Sequence, residues 1–229
     1  IPPTRNGGQV NYVIDGPAKD IKGYIQTVVL QDKSNTVPGW AVVIADSWWA
    51  AKKAADAVTL EYQPTDTMDV SEKEIQDHSR KLINDASKGV VLATDNTNTA
   101  PVFRTAKSTL EAEYTTATAL HFAMEPVNAL ALEKDGKWEI HTGNQWQSLV
   151  LPWLAAALEV PDTDIVMKTY MLGGGFGRRL NGDYAVAAAL AAKAVGKPVK
   201  MVLSRESDSK FDSVRSPSVQ KMRMAFDKD

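Results

Sequence analysis

Gly173, Gly174, Gly175, Phe176, Gly177, Arg178 and Arg179 run consecutively between a strand-like alternation at residues 165–172 and an alanine-rich stretch at 184–195. Three successive glycines open backbone conformations closed to other residues and let another molecule reach the main chain with no Cβ in the way. A strand feeding a helix through such a turn aims free amides and the positive helix end at one point, a natural seat for phosphate or pyrophosphate. Arg178, Arg179 and Arg205 could fork onto phosphate oxygens; the plain alternative is surface arginines, and for Arg205 that alternative is the favoured one. The P-loop pattern fails, because Arg178 stands where its second glycine should be and no Lys-Ser/Thr pair follows. The dinucleotide fingerprint fails as well, since Gly173 and Gly175 are followed by Arg178, and Gly175 and Gly177 by Leu180. The same turn could simply pack an alanine-rich helix against a sheet, and the glycines alone do not separate the two uses.

Other polar residues offer narrower chemistry. Gln145, closing Thr142-Gly143-Asn144-Gln145, carries a neutral amide that donates and accepts hydrogen bonds without bringing charge to a metal. Its plain alternative is a polar turn residue after a strand. Glu125, in His121-Phe122-Ala123-Met124-Glu125-Pro126, could accept backbone amides or pair with a neighbouring cation, and that structural use is the favoured one. His78, His121 and His141 are far apart and show no ligand spacing, so no metal bound directly by side chains is expected. The chain has no cysteine, which excludes disulfides, thiolate zinc sites and iron-sulfur clusters within it.

The order and spacing of residues 173–179, 121–126 and 142–145 resemble the molybdenum hydroxylases, the xanthine and aldehyde oxidase family. The double arginine and the stretch 39–53 are similar to the isoquinoline 1-oxidoreductase beta-subunit branch, in which that stretch belongs to the a/b hammerhead domain. The resemblance covers about residues 10–66 and 106–226. It implies an α+β fold, with a hammerhead-like domain at 1–66, a linker at 67–105 and an incomplete first molybdopterin-binding domain at 106–229. The implied activity is oxidoreduction: hydroxylation of an N-heterocycle or aldehyde with oxygen from water, the electrons passing to an iron-sulfur subunit. The implied cofactor is molybdopterin, as its cytosine dinucleotide by analogy. In the family the glutamine matched by Gln145 hydrogen-bonds an oxo ligand of molybdenum, and the phenylalanine matched by Phe176 lies close to metal and substrate. These two are the implied catalytic positions, and Gly173, Gly174, Gly175, Phe176, Gly177 and Arg178 the implied cofactor contacts. Leu180 replaces an acidic residue of the xanthine-oxidising members, which argues against a purine substrate. The family's catalytic glutamate lies in a later part of the subunit, so this chain is expected to be a piece that needs the remainder of the large subunit and, alone, holds no cofactor and turns nothing over. The competing reading is a non-catalytic binding or assembly module with the family architecture; a weaker third is an unrelated nucleotide-binding domain.

Several elements must position these residues. Strands are expected at 21–30, 39–45 and 58–62, with a helix at 47–57 capped by Asp46 or Ser47. Residues 65–105 lose periodicity apart from a helical patch at 71–83, and the run Thr94-Asp95-Asn96-Thr97-Asn98-Thr99 reads as linker. Strands follow at 110–116, 128–133 and 138–142, the last two joined by Asp135-Gly136, a hairpin signal. A helix at 148–158 precedes the glycine turn, and a strand at 199–203 follows Gly196 and Pro198, which stop the second helix.

Composition narrows the classes. A formal net charge of -2 gives no electrostatic case for nucleic acid. The longest apolar run falls far short of the roughly 18 to 20 residues needed to span a bilayer. The opening Ile1-Pro2-Pro3-Thr4 has neither Met nor an apolar h-region, so any targeting segment would have been removed or omitted; a periplasmic setting rests on the resemblance alone.

Overall fold

The computed structural model describes residues 1–3, 8–65, 69–90 and 99–227. Thr4 and residues 94–98 of the expected linker run lie outside them. In chain order the strands are β1 (Val10–Ile14), β2 (Tyr24–Val29), β3 (Ala41–Ala45), β4 (Thr59–Tyr62), β5 (Ser108–Thr116), β6 (Asn128–Lys134), β7 (Lys137–Thr142), β8 (Ile165–Thr169), β9 (Val199–Val202) and β10 (Ser218–Phe226). The α-helices are α1 (Gly16–Lys19), α2 (Trp48–Ala57), α3 (Glu72–Ile83), α4 (Ala100–Thr105), α5 (Gln147–Leu158), α6 (Asp183–Val195) and α7 (Arg205–Lys210). The class is α+β, as expected.

The contacts group the chain differently from the expected division. One unit joins Ile1–Met68 to Leu120–Ser213, and the other joins Asp69–Ala119 to Val214–Asp229. The reason in the first unit is its core. Leu30, Val37, Trp40 and Val42 belong to the same buried cluster as Val127, Ile140 and Leu154, and the Trp40 and Phe211 rings meet edge to face at 4.8 Å. An indole of that size has too much apolar surface for the two-stranded β2–β3 sheet to cover by itself. In the second unit the described residues 69–90 and 99–105 are not featureless. Ser71 and Glu74 close a reciprocal capping box that starts α3. Arg80 Nε of α3 reaches Glu113 of β5 at 3.0 Å, and Arg223 of β10 lies 4.8 Å over the Phe103 ring of α4. β10 pairs with β5 antiparallel along its whole length.

The site-bearing part of the first unit is a four-stranded sheet in the order β8-β7-β6-β9. β6 and β7 form the expected hairpin, with Asp135 and Gly136 both at positive φ as a two-residue turn of this kind requires. β7 and β8 run parallel and are connected through α5, which continues past Pro152. Residues 183–192 of α6 are all buried, six of them alanine, and small side chains let the helix lie close to Ala129 and Ala131 of β6. Gly196 caps α6 in the left-handed region at φ 61°.

Candidate functional site

Three sequence motifs converge between the end of β7 and the start of α6. Asn144 Nδ2 donates to Arg179 O at 2.7 Å, and the Gln145 amide donates to the same oxygen at 3.1 Å. Gln145 Oε1 in return accepts from the amides of Gly177 at 3.1 Å and Arg179 at 3.3 Å. Glu125 Oε2 accepts from the Gly173 amide at 3.0 Å, and the Glu125 amide donates to Gly173 O at 3.1 Å. The favoured structural reading of Glu125 therefore describes what its carboxylate does. Arg179 is fully buried and ties all three motifs, donating through Nη2 to Glu125 Oε2 at 2.7 Å and through Nη1 to Gly143 O at 3.3 Å. Tyr184 OH donates to Gly143 O at 2.9 Å from the first turn of α6. Burial pushes the Glu125 carboxyl up, but the Gly173 amide, Asn128 and Arg179 together outweigh it and hold it below its ordinary value.

The glycines are needed for different reasons. Gly174 has φ 99° and Gly177 φ 107°, conformations that L side chains rarely adopt. A Cβ on Gly175 would fall on the Gln145 side-chain amide. Phe176 sits between them at φ 55°, unusual for a bulky residue, with its ring 62% exposed. The amides of Gly174 and Gly175 have no acceptor among the described residues. With Oε1 committed to the turn, the Nε2 donors of the exposed Gln145 are the free end of that side chain. Among the described residues no cluster of His, Cys, Asp or Glu could hold a metal ion. The unpaired amide of half-buried Gly174, a neutral amide donor and an exposed ring fit an oxygen-rich, largely anionic group that brings its own metal.

Two expectations change on contact with the structure. The end of α6 is not an open anion seat: Asp183 Oδ1 accepts from the Tyr184 amide at 3.0 Å, so a carboxylate of the chain already occupies it. Arg178 is also not presented to a phosphate. It is 1% exposed, its Nη1 donates to Asp183 Oδ1 at 2.8 Å, its Nε lies 3.6 and 3.5 Å from Asp208 and Asp212, and its amide donates to Gly175 O. Buried beside three carboxylates, the guanidinium has no exposed face to offer a phosphate. Arg205 is likewise engaged, donating to the carbonyls of Ala123 at 2.6 Å and Met124 at 2.9 Å. Asn144, Tyr184, Asp183 and Asp212 were not singled out from sequence. Only the position of Asn144 inside a motif could have drawn attention to it; the others carry no local signature.

A sequence profile of the molybdopterin cofactor-binding domain matches residues 77–229, well over half of the chain. The chain belongs to that family. It is 53% identical over 228 residues to the membrane-bound aldehyde dehydrogenase [pyrroloquinoline-quinone] of Gluconacetobacter polyoxogenes, covering 99% of this chain and 29% of that protein. It is 36% identical over 127 residues, 55% of this chain and 17% of the other, to the aldehyde oxidoreductase molybdenum-binding subunit of Escherichia coli K12. Among solved structures, the aldehyde oxidoreductase of Desulfovibrio desulfuricans superposes with a TM-score of 0.72 at 19% identity, covering 98% of this chain and 29% of that one, a likeness of fold. The chain thus spans under a third of the length of these relatives.

Proposed function

We propose that this chain forms one wall of the cofactor site in a molybdenum-dependent oxidoreductase that hydroxylates an aldehyde or N-heterocycle with oxygen from water. The observation that carries the reading is the Gln145 side chain, fixed by two amides of the glycine turn with its Nε2 donors free beside the exposed Phe176. The names of the relatives favour an aldehyde over a heterocycle. In this reading residues 1–66 descend from a hammerhead domain and 106–229 from the first molybdopterin-binding domain. The rest of the large subunit supplies the facing wall and the general base, and an iron-sulfur subunit takes the electrons.

The bound molybdopterin, proposed in its cytosine dinucleotide form, would supply the two-electron redox chemistry. The chain's own residues orient and exclude. Gln145 Nε2 would donate a hydrogen bond toward an oxygen of the group without altering its charge, the Gly174 amide would face it backbone first, and the Phe176 ring would limit water and align a planar substrate. Arg178 holds the turn from behind in place of the contact first expected of it.

One relative's name assigns it pyrroloquinoline quinone, so the test carries both arms. The complete enzyme, purified with its partner subunits, is expected to hold about one molybdenum and no quinone per large subunit by mass spectrometry, and to reduce dye with benzaldehyde. Gln145→Ala should lower kcat/KM by about 10² while molybdenum stays bound. Stoichiometric quinone without molybdenum would sink the proposal.

A further inference from the structure

Asp212 lies just beyond α7, far in sequence from the glycine turn, yet it serves both flanks of that turn. Its Oδ2 accepts from the His121 amide at 2.6 Å and its Oδ1 pairs with His121 Nδ1 at 2.8 Å, with both side chains nearly buried. The same Oδ1 lies 3.5 Å from Arg178 Nε. Held in this way, the His121 ring turns its Nε2 toward Gly177, 3.2 Å from the place a Cβ would take there. Phe176 at φ 55° is the strained residue of the turn, Gly177 beside it takes φ 107°, and the Gly177 amide is one of the two donors that fix Gln145 Oε1. Strain of this kind persists only where the surroundings over-determine it. Asp183, Asp208 and Arg205 complete the charged neighbourhood, and Asp183 and Asp212 also line a cavity of about 360 Å3 with Trp153 and Phe211.

We infer that Asp212 is a positioning residue: through His121 behind Gly177 and through Arg178 beside it, Asp212 sets the Phe176–Gly177 backbone and so the direction of the Gln145 amide. This rests on the reading of Gln145 and Phe176 as the cofactor-facing pair. The carboxylate is buried and spent on His121 and Arg178. Its effect is geometric, and a displacement of the order of 1 Å in a supporting group is enough to lower a rate.

The test uses the complete enzyme with its partner subunits. In Asp212→Asn, which keeps the shape but not the charge, kcat per bound molybdenum should fall about tenfold or more, with KM within about twofold of wild type and molybdenum content near wild type. His121→Asn, whose amide can replace the Nδ1 donor but not fill the space behind Gly177, should fall similarly. The double variant should be no worse than the poorer single, because the two act as one unit. Unchanged kcat per molybdenum in Asp212→Asn, loss only in proportion to lost metal, or multiplicative losses in the double variant would each overturn the inference. If Asp212→Asn does not fold, the same per-metal measurement on His121→Asn decides. A wild-type enzyme without molybdenum overturns the underlying reading as well, whereas an active molybdenum enzyme with unaffected variants overturns this inference alone.

Discussion

On the outer side of the glycine turn, Phe176 and Gln145 stand exposed, held by backbone amides and by unusual φ angles. On the inner side, Arg178 and Arg179 are almost completely buried among carboxylates and carbonyls. The outer side needs donors left open, so it is built from glycine and a neutral amide. The inner side buries its charges together, setting arginines against carboxylates in low dielectric, where a missing counter-charge is expensive. Phe176 and Arg178, two positions apart in sequence, thus follow opposite rules, and the buried set is what allows the exposed one to be strained. That cluster is not fully hydrogen-bonded: Asp208 Oδ1, Arg178 Nε and Nη2 and Arg179 Nε have no hydrogen-bond partner among the described residues. The nearby carboxylates act on Arg178 Nε only as longer-range charges.

The comparison can be broken most severely from the inside. Arg178→Met should destabilise the protein by roughly 3–5 kcal/mol in urea unfolding, because Asp183, Asp208 and Asp212 lose their shared cation. A change below about 1 kcal/mol would mean the cluster contributes little to holding the turn. From the outside, Gly175→Ala should cost about 1–3 kcal/mol through its collision with the Gln145 amide, and should shift Gln145 as well. A crystal structure of that variant with Gln145 Oε1 still 3.1 Å from the Gly177 amide would contradict the packing argument.

Glu125→Gln probes the border between the two sides and should cost about 1 kcal/mol, since the carboxylate is partly solvent-screened. The sign of its pH dependence follows from the lowered carboxyl: its contribution is complete above the ordinary value of 4.5 and disappears as pH falls through the folded value. Wild type and variant should therefore converge in acid, and equal gaps at all pH values would refute the assignment. The smallest effect has the opposite sign. Burial raises Asp208 above its ordinary 3.8 against the pull of Arg178 and Arg205, so the ionised form is disfavoured in the fold. Its contribution is present below 3.8 and lost as pH rises through the folded value. Asp208→Asn should thus stabilise slightly at neutral pH, by at most about 1 kcal/mol, with the gain vanishing in acid. A melting temperature lower than wild type at neutral pH would show that the charge is needed.

The sequence by itself determined what depends on short-range chemistry. A cap at Asp46 or Ser47 for α2, which the structure places at Ser47, Asp135-Gly136 as a two-residue turn, Gly196 as the stop of α6, and strands where apolar residues alternate are all local consequences of φ preferences and side-chain spacing. The motif residues were also legible, because glycine runs and a glutamine after a strand stand out in type. What only the tertiary structure decided is which of them face outward. Arg178 and Arg179 are identical as letters to surface arginines, and their burial follows from Glu125, Asp183, Asp208 and Asp212, contributed by three separate stretches of the chain. The same holds for the grouping of Trp40 with Phe211 and of β5 with β10, where the partners lie more than a hundred residues apart. Long-range pairing leaves no periodicity in the sequence, since its energy comes from desolvating both partners together and is absent from either alone.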